Sequence, residues 1–196
     1  LEFPVGFGGG RLGASTSTMA MDIGQELAPL NLDSNSTVHS LYGSYPLQRG
    51  DRANSDLALN LDWTHLENNI GTARLNDRKL TTASLTLSGN LLDSWNGQVD
   101  WNLGLVGGDL DLSGDTGNEA TDRSTAQTAG TYSKATLSLA RLSLLTDDGQ
   151  WSFLTSLRGQ IAGKNLDSAE KFQLGGPTGI RFYPVGEGLG DHGWLA

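Results

Sequence analysis

The residue types able to do chemistry are sparse in this chain, and their spacing fits few reactions. His39, His65 and His192 lie in separate segments and form no ligand-spaced pair, so neither a zinc site nor a nucleophile triad has support. Asp109, Asp111, Ser113, Gly114 and Asp115 copy the opening of a calcium loop. The closing acid belongs at Ala120, however, Glu119 comes one residue early, and flanking helices are missing, so a solvated acidic loop is the simpler reading. Gly8-Gly9-Gly10-Arg11-Leu12-Gly13 satisfies a dinucleotide-binding pattern but opens onto Ser- and Thr-rich sequence without a helical stripe, which reads as a glycine-rich turn into a strand. Asp62 and Asp100 sit mid-strand on polar faces. They could be paired acids of an enzyme cleft, but carboxylates lining a wet surface are the simpler account. No catalytic residue, metal or cofactor is assigned.

Arg181 is the exception. It lies in Glu170 to Trp194, a stretch so rich in glycine and proline that neither a long helix nor a central strand can form. The same stretch carries Phe172, Leu174, Ile180, Phe182, Tyr183 and Trp194, more apolar surface than a solvated loop holds, so it is expected to pack against its own scaffold. With Phe182 and Tyr183 beside it, the Arg181 guanidinium is expected to be partly desolvated and to require a carboxylate or carbonyl partner.

Several phrases here resemble the outer-membrane transporters of two-partner secretion. They are Asn165-Leu166-Asp167-Ser168-Ala169-Glu170-Lys171-Phe172, the following Leu174-Gly175-Gly176, the tip Ile180-Arg181-Phe182-Tyr183, and Gly190-Asp191 with Gly193. Ser44-Tyr45-Pro46-Leu47 with Arg49 resembles the Tyr-Pro turn between two barrel strands of that family. The resemblance implies a loop over 164–193 that folds into a barrel lumen, shaped by Gly175, Gly176, Gly190, Asp191 and Gly193. It implies that Arg181 at its tip meets an acidic residue on the inner wall, on a strand beyond Ala196. Phe182 stands where the family usually has glycine. For the whole protein the resemblance implies a sixteen-stranded barrel preceded by periplasmic transport domains, which conducts an unfolded exoprotein such as a haemolysin or adhesin without catalysis.

Composition is compatible with this. The 196 residues include no cysteine and 27 glycines and carry a net charge of -9. An acidic chain argues against nucleic acid as a partner. No stretch approaches the roughly 20 apolar residues of a membrane helix, so a membrane contact has to be made by strands. Neither end looks natural, and the expectation is a fragment lacking N-terminal periplasmic domains and C-terminal strands.

Positioning the loop falls to about seven period-two segments, near 12–22, 36–47, 57–64, 79–91, 98–107, 135–142 and 150–163. Most approach or exceed the roughly 9–11 residues of a tilted membrane strand. Leu57, Leu59, Leu61, Val99, Leu103, Leu105, Phe153 and Leu157 mark one face. Asn60, Asp62, Asp100, Asn102, Arg158 and Gln160 mark the other and are expected to face the lumen. The sixth segment loses phase at Arg141-Leu142, through either a bulge or the membrane rim. Connections 48–54, 92–96 and 146–149 are short, while 23–35, 67–78, 108–130 and 164–193 are long, which assigns periplasmic and external sides.

The fold expected is therefore all-β, a partial transmembrane antiparallel β-barrel in the Gram-negative outer membrane. Its expected partners are a secreted exoprotein and outer-membrane lipid, with no nucleic acid and no small-molecule substrate. Two alternatives remain. One is a barrel-assembly factor of the same superfamily. The other is a soluble β-sandwich binding carbohydrate through Trp63, Trp101 and Trp151, although tryptophans on an aliphatic face suit an interfacial belt better.

Overall fold

The period-two segments become strands because each alternates bulky apolar with short polar side chains, a pattern that a pleated backbone sorts onto two faces. The computed structural model describes residues 1–23, 32–95, 97–146, 148–176, 179–180, 184, 186 and 188–196. Its elements are β1 (Glu2–Val5), β2 (Gly10–Ile23), β3 (Leu32–Gln48), β4 (Ala53–Ile70), β5 (Ala73–Leu92), β6 (Gly97–Asp111), α1 (Thr116–Ser124), β7 (Gly130–Leu144), β8 (Ser152–Ala162), β9 (Phe172–Gln173), β10 (Leu189–Gly190) and β11 (Gly193–Leu195). One sheet runs in the order β1-β2-β3-β4-β5-β6-β7-β8-β11, every neighbouring pair antiparallel, and β9 pairs with β10 separately. The sheet is not closed; β1 and β11 are its edges.

The seven expected strands are β2 to β8. The sheet gains β1 and β11, which are too short for periodicity to register, and β1 carries Pro4, tolerated because it forms an edge. Residues 67–78, expected as a long connection, are instead the end of a continuous hairpin. Pairing runs to Ile70↔Ala73 with one irregularity at Asn68/Asn69, and Gly71 turns the chain with φ 58. The segment reads as a loop because both faces are polar there. Strands extend through it because polar cross-strand partners replace the apolar ones. Arg74 bridges Glu67 at 2.9 Å and Asp77 at 2.8 Å, and His65 Nε2 lies 2.8 Å from Asp77. The polar connection 108–130 is also more ordered than expected. Asp111 accepts the Ser113 N–H, Asp115 caps α1 through the Gly117 and Asn118 N–H groups, and Leu112 is an apolar anchor at 6% exposure.

The phase break in β7 is not a bulge. Pairing to β6 and β8 continues without a register shift, so no bulge intervenes. Arg141 simply ends the apolar face: its guanidinium grips the Asp93 carboxylate at 2.7 and 3.1 Å and sits 5.8 Å from the Trp95 ring. The Trp95 N–H, followed by the Gly97 N–H and Arg141, holds the Asp93 carboxyl below the usual carboxylate range against partial desolvation. Farther up the same face, the Trp101 ring covers Gly89, where an added Cβ would lie 2.7 Å from the ring.

Buried apolar side chains among the described residues are few, namely Leu80, Leu110, Leu112, Tyr132, Leu166 and Phe172. The face carrying Leu59, Leu103, Leu105 and Phe153 is bare, at 49%, 47%, 61% and 59% exposure. A contiguous apolar face of this extent exceeds what a water-soluble monomer displays. A second sheet facing it, as the sandwich alternative requires, is missing from the described residues. In the full-length protein, single cysteines at Leu59 and Leu103 should therefore resist a water-soluble thiol reagent, while those at Asn60 and Asn102 react. Equal labelling of both faces would show that the apolar face meets water.

Candidate functional site at the root of the long loop

Register places Asn60, Asp62, Asp100, Asn102, Arg158 and Gln160 on one face of the sheet. Polar neighbours satisfy three of them: across the ladder Asn60 donates to the Ser84 hydroxyl at 3.4 Å and Ser40 donates to Asp62 at 2.6 Å, and along β6 Gln98 donates to Asp100 at 3.1 Å. Above Asn102, Thr136, Ser138, Arg158 and Gln160 lies the chain of Lys171, Phe172 and Gln173, with a cleft between them. The long loop is thus laid against the polar face.

Its root is held there by two ion pairs. Arg78 on β5 donates through one nitrogen to both oxygens of Asp167, at 2.9 and 2.8 Å, and to the Ser168 hydroxyl at 3.1 Å. The two side chains are only 15% and 9% exposed. Lys134 on β7 reaches the Glu170 carboxylate at 2.8 Å and the Glu170 carbonyl at 2.7 Å, again largely out of water. Lys164 and Asn165 tie the start of the loop to the Ala129 and Ala126 carbonyls, and Leu166 is fully buried.

The returning arm meets the outgoing one at β9 and β10, where Phe172 pairs with Gly190 and Gln173 with Leu189. The Asp191 carboxylate accepts the Leu166 N–H at 2.8 Å and lies 3.7 Å from the Lys171 ammonium. Gly193 has no room for a side chain, since a Cβ there would lie 2.6 Å from the Phe172 ring. Gly176, at φ 93, accepts the Gly179 N–H at 3.1 Å, Ile180 donates to the Leu174 carbonyl at 2.7 Å, and Gly175 bridges Ile180. Gly175, Gly176, Gly190, Asp191 and Gly193 therefore all have local structural tasks. Arg181, Phe182 and Tyr183, the expected tip, lie outside the described residues.

The structure brings in Arg78, Lys134, Asp167 and Glu170 as functional candidates that the sequence left unassigned. Asp167 and Glu170 stand in the phrase 165–172 among polar and charged neighbours, with nothing local to name their partners, and Lys134 directly precedes the sixth period-two segment. Arg78 was hidden because its segment reads as a loop. The histidines stay apart: His39 meets Thr16, His65 meets Asp77, and His192 Nδ1 accepts the Ala162 N–H. Asp109 accepts the Thr131 hydroxyl, so Asp109, Asp111 and Asp115 each serve a separate local contact.

Two outcomes follow. In the full-length protein, Arg78→Ala leaves Asp167 desolvated without its cation, weakening attachment of the loop root by roughly 3–5 kcal/mol. Trypsin should then cut the folded barrel at Lys164 or Lys171, and Arg78→Asp combined with Asp167→Arg should restore protection. Unchanged cleavage in the alanine variant would show that the pair holds nothing.

The second outcome concerns Asp122, which closes the loop after α1 by accepting the Thr128 N–H and hydroxyl at 2.9 and 2.7 Å and the Ala129 N–H at 3.0 Å. Burial, the largest single influence, raises its pKa, but these hydrogen bonds and Lys164 outweigh it and hold the carboxyl below its ordinary value. A depressed folded-state pKa stabilises the closed loop above the ordinary carboxylate range, and that contribution is lost as pH falls through the folded value. Amide exchange at Thr128 and Ala129, corrected for intrinsic rates, should stay protected down to about pH 5 and loosen only below about pH 4. Loosening at neutral pH would assign closure of the loop to another group.

Comparison with known proteins agrees with this geometry. No curated protein sequence matches the chain. Among solved structures, CdiB from Escherichia coli is similar with a TM-score of 0.69 at 21% identity, over 94% of this chain and 34% of that one. CdiB from Acinetobacter baumannii is similar with a TM-score of 0.67 at 20% identity, over 98% of this chain and 34% of that one. At these identities the likeness concerns the fold, and the chain spans about a third of those proteins. A family model for the haemolysin secretion/activation proteins ShlB/FhaC/HecB matches residues 1–196 throughout, and the chain therefore belongs to that family of Gram-negative outer-membrane two-partner secretion transporters.

Proposed function

We propose that this chain forms part of the wall of a pore through which a secreted exoprotein crosses the outer membrane unfolded, with residues 164–193 lying inside the lumen. The single observation that carries this reading is the attachment of the loop root to the polar face through Arg78–Asp167 and Lys134–Glu170. A polar face that merely met solvent would have no reason to hold two desolvated ion pairs to a loop. In this reading the polar face lines the lumen and the apolar face meets lipid. Asn60, Asp62, Asp100, Asn102, Arg158 and Gln160 supply a wet surface to which an extended chain binds weakly enough to move on. The transport needs no covalent step and no cofactor, and folding of the cargo outside helps draw it through. Arg181 at the tip holds the distal part of the loop through a wall carboxylate.

The test uses the full-length transporter with its exoprotein. Asn102→Cys modified by a bulky charged thiol reagent should lower export, whereas Leu103→Cys treated alike should not. Arg181→Ala should leave heat-modifiable barrel at near-normal amounts and strongly reduce export. Undiminished export after complete modification at Asn102→Cys would sink the pore reading, and wild-type export by Arg181→Ala would remove the tip lock.

A further inference from the structure

The neck of the long loop, where its outgoing and returning arms pass each other over β8, is built more tightly than a tether needs. Gln160 is 7% exposed and uses one amide nitrogen on both arms, donating to the Glu170 carbonyl at 3.1 Å and the Asp191 carbonyl at 3.2 Å. The two hydrogens of that nitrogen suit two acceptors at once. The arms are also joined directly, by the β9–β10 pairing, by the Leu174 N–H to the Gly188 carbonyl at 3.1 Å, and by the Leu166 N–H to the Asp191 carboxylate. Phe172 is buried at the crossing, its ring packed where Gly193 leaves space. Three wall strands contribute attachments: β5 through Arg78, β7 through Lys134 and β8 through Gln160. Opening this neck would strand buried donors and desolvated charges together, so the contacts have to break as a unit or stay.

We propose that Gln160, Arg78 and Lys134 are positioning residues that keep both arms of the neck fixed on the wall while polypeptide passes. Transport then proceeds without the neck opening. This rests on the reading that the loop lies in the pore, and adds which part of it stays in place.

The experiment uses a cysteine-free full-length background carrying Gln173→Cys and Leu189→Cys. These positions are direct partners in the antiparallel pair, where Cβ atoms lie about 4.5–5.5 Å apart, close to disulfide reach. The disulfide should form in the folded barrel. Export should then stay within about twofold of wild type, oxidised or reduced, a change of about 0.4 kcal/mol at most. Loss of export on oxidation with recovery on reduction would overturn the proposal, and so would failure of the pair to oxidise, because it would show that the arms are not joined.

Gln160→Glu provides a second arm, since it places a carboxylate against two carbonyls. At matched barrel levels, export should fall at least about fivefold from the lost donors. The same variant should let trypsin cut at Lys171 in the folded, heat-modifiable barrel, because the arms are no longer fixed to β8; a fall in export with protection unchanged would overturn the positioning role. Failure of the pore reading would appear separately, as export indifferent to modification at Asn102→Cys.

Discussion

Everything in this structure depends on one constraint: a backbone taken out of water must satisfy its own hydrogen bonds, and the period-two pleat then divides its side chains between two surfaces. Neighbouring strands from β2 to β8 pair almost without interruption, with irregularities only at Pro46/Gln48 and Asn68/Asn69. Because the ladder keeps its phase across so many strands, Leu59 and Leu103 share one surface while Asn60 and Asn102 share the other. A single-residue slip in any strand would carry its leucines to the polar side. The small buried cluster at Leu80, Leu110 and Leu112 is not what holds the sheet together; the ladder and the environment of the apolar face do that.

Where the apolar face ends, charge takes over in two different ways. At the end near the short connections, Arg141 and Asp93 form a tight pair beside Trp95, a cation, an acid and an aromatic ring suited to an interface between apolar and aqueous surroundings. At the opposite end, the β4–β5 hairpin continues past the apolar band on polar pairs alone, with Arg74 between Glu67 and Asp77. Of the expected long connections, 67–78 becomes a tight hairpin, whereas the one between β6 and β7 and the one after β8 stay long, so connection length still separates the two sides. Strand pairing costs little to continue when opposite charges replace leucines on adjacent strands.

The long loop turns the polar face from a plain wall into a site. Its ion pairs are mostly removed from water, where losing one partner costs far more than it would at a surface. Gln160 adds direction to that attachment, because its amide recognises backbone carbonyls of both arms and so fixes how they pass each other. Glycines 190 and 193 make the crossing possible by leaving room for main chain and for the Phe172 ring. The same contacts that order the loop also determine how much of the polar face it covers.

The sequence by itself determined the strands, their faces and the presence of a loop that packs, because alternation of leucine with asparagine or serine admits one pleated arrangement and glycine with proline keeps 170 to 194 from running as a long helix or a central strand. It placed Gln160 on the polar side of its own strand, but that Lys134 on the neighbouring strand shares that face required the β7–β8 register. It could not show that 67–78 is a hairpin, because polar residues on both faces look the same in a loop and in a strand held by cross-strand charges. Nor could it show that the break at Arg141 is not a bulge, which needed the uninterrupted register on both sides of β7. Above all, the meeting of Arg78 with Asp167 and of Lys134 with Glu170 was a tertiary decision. Partners separated by so much chain are brought together only when β5, β7 and β8 stand in fixed register and the loop folds back over them, and no local propensity encodes that distance.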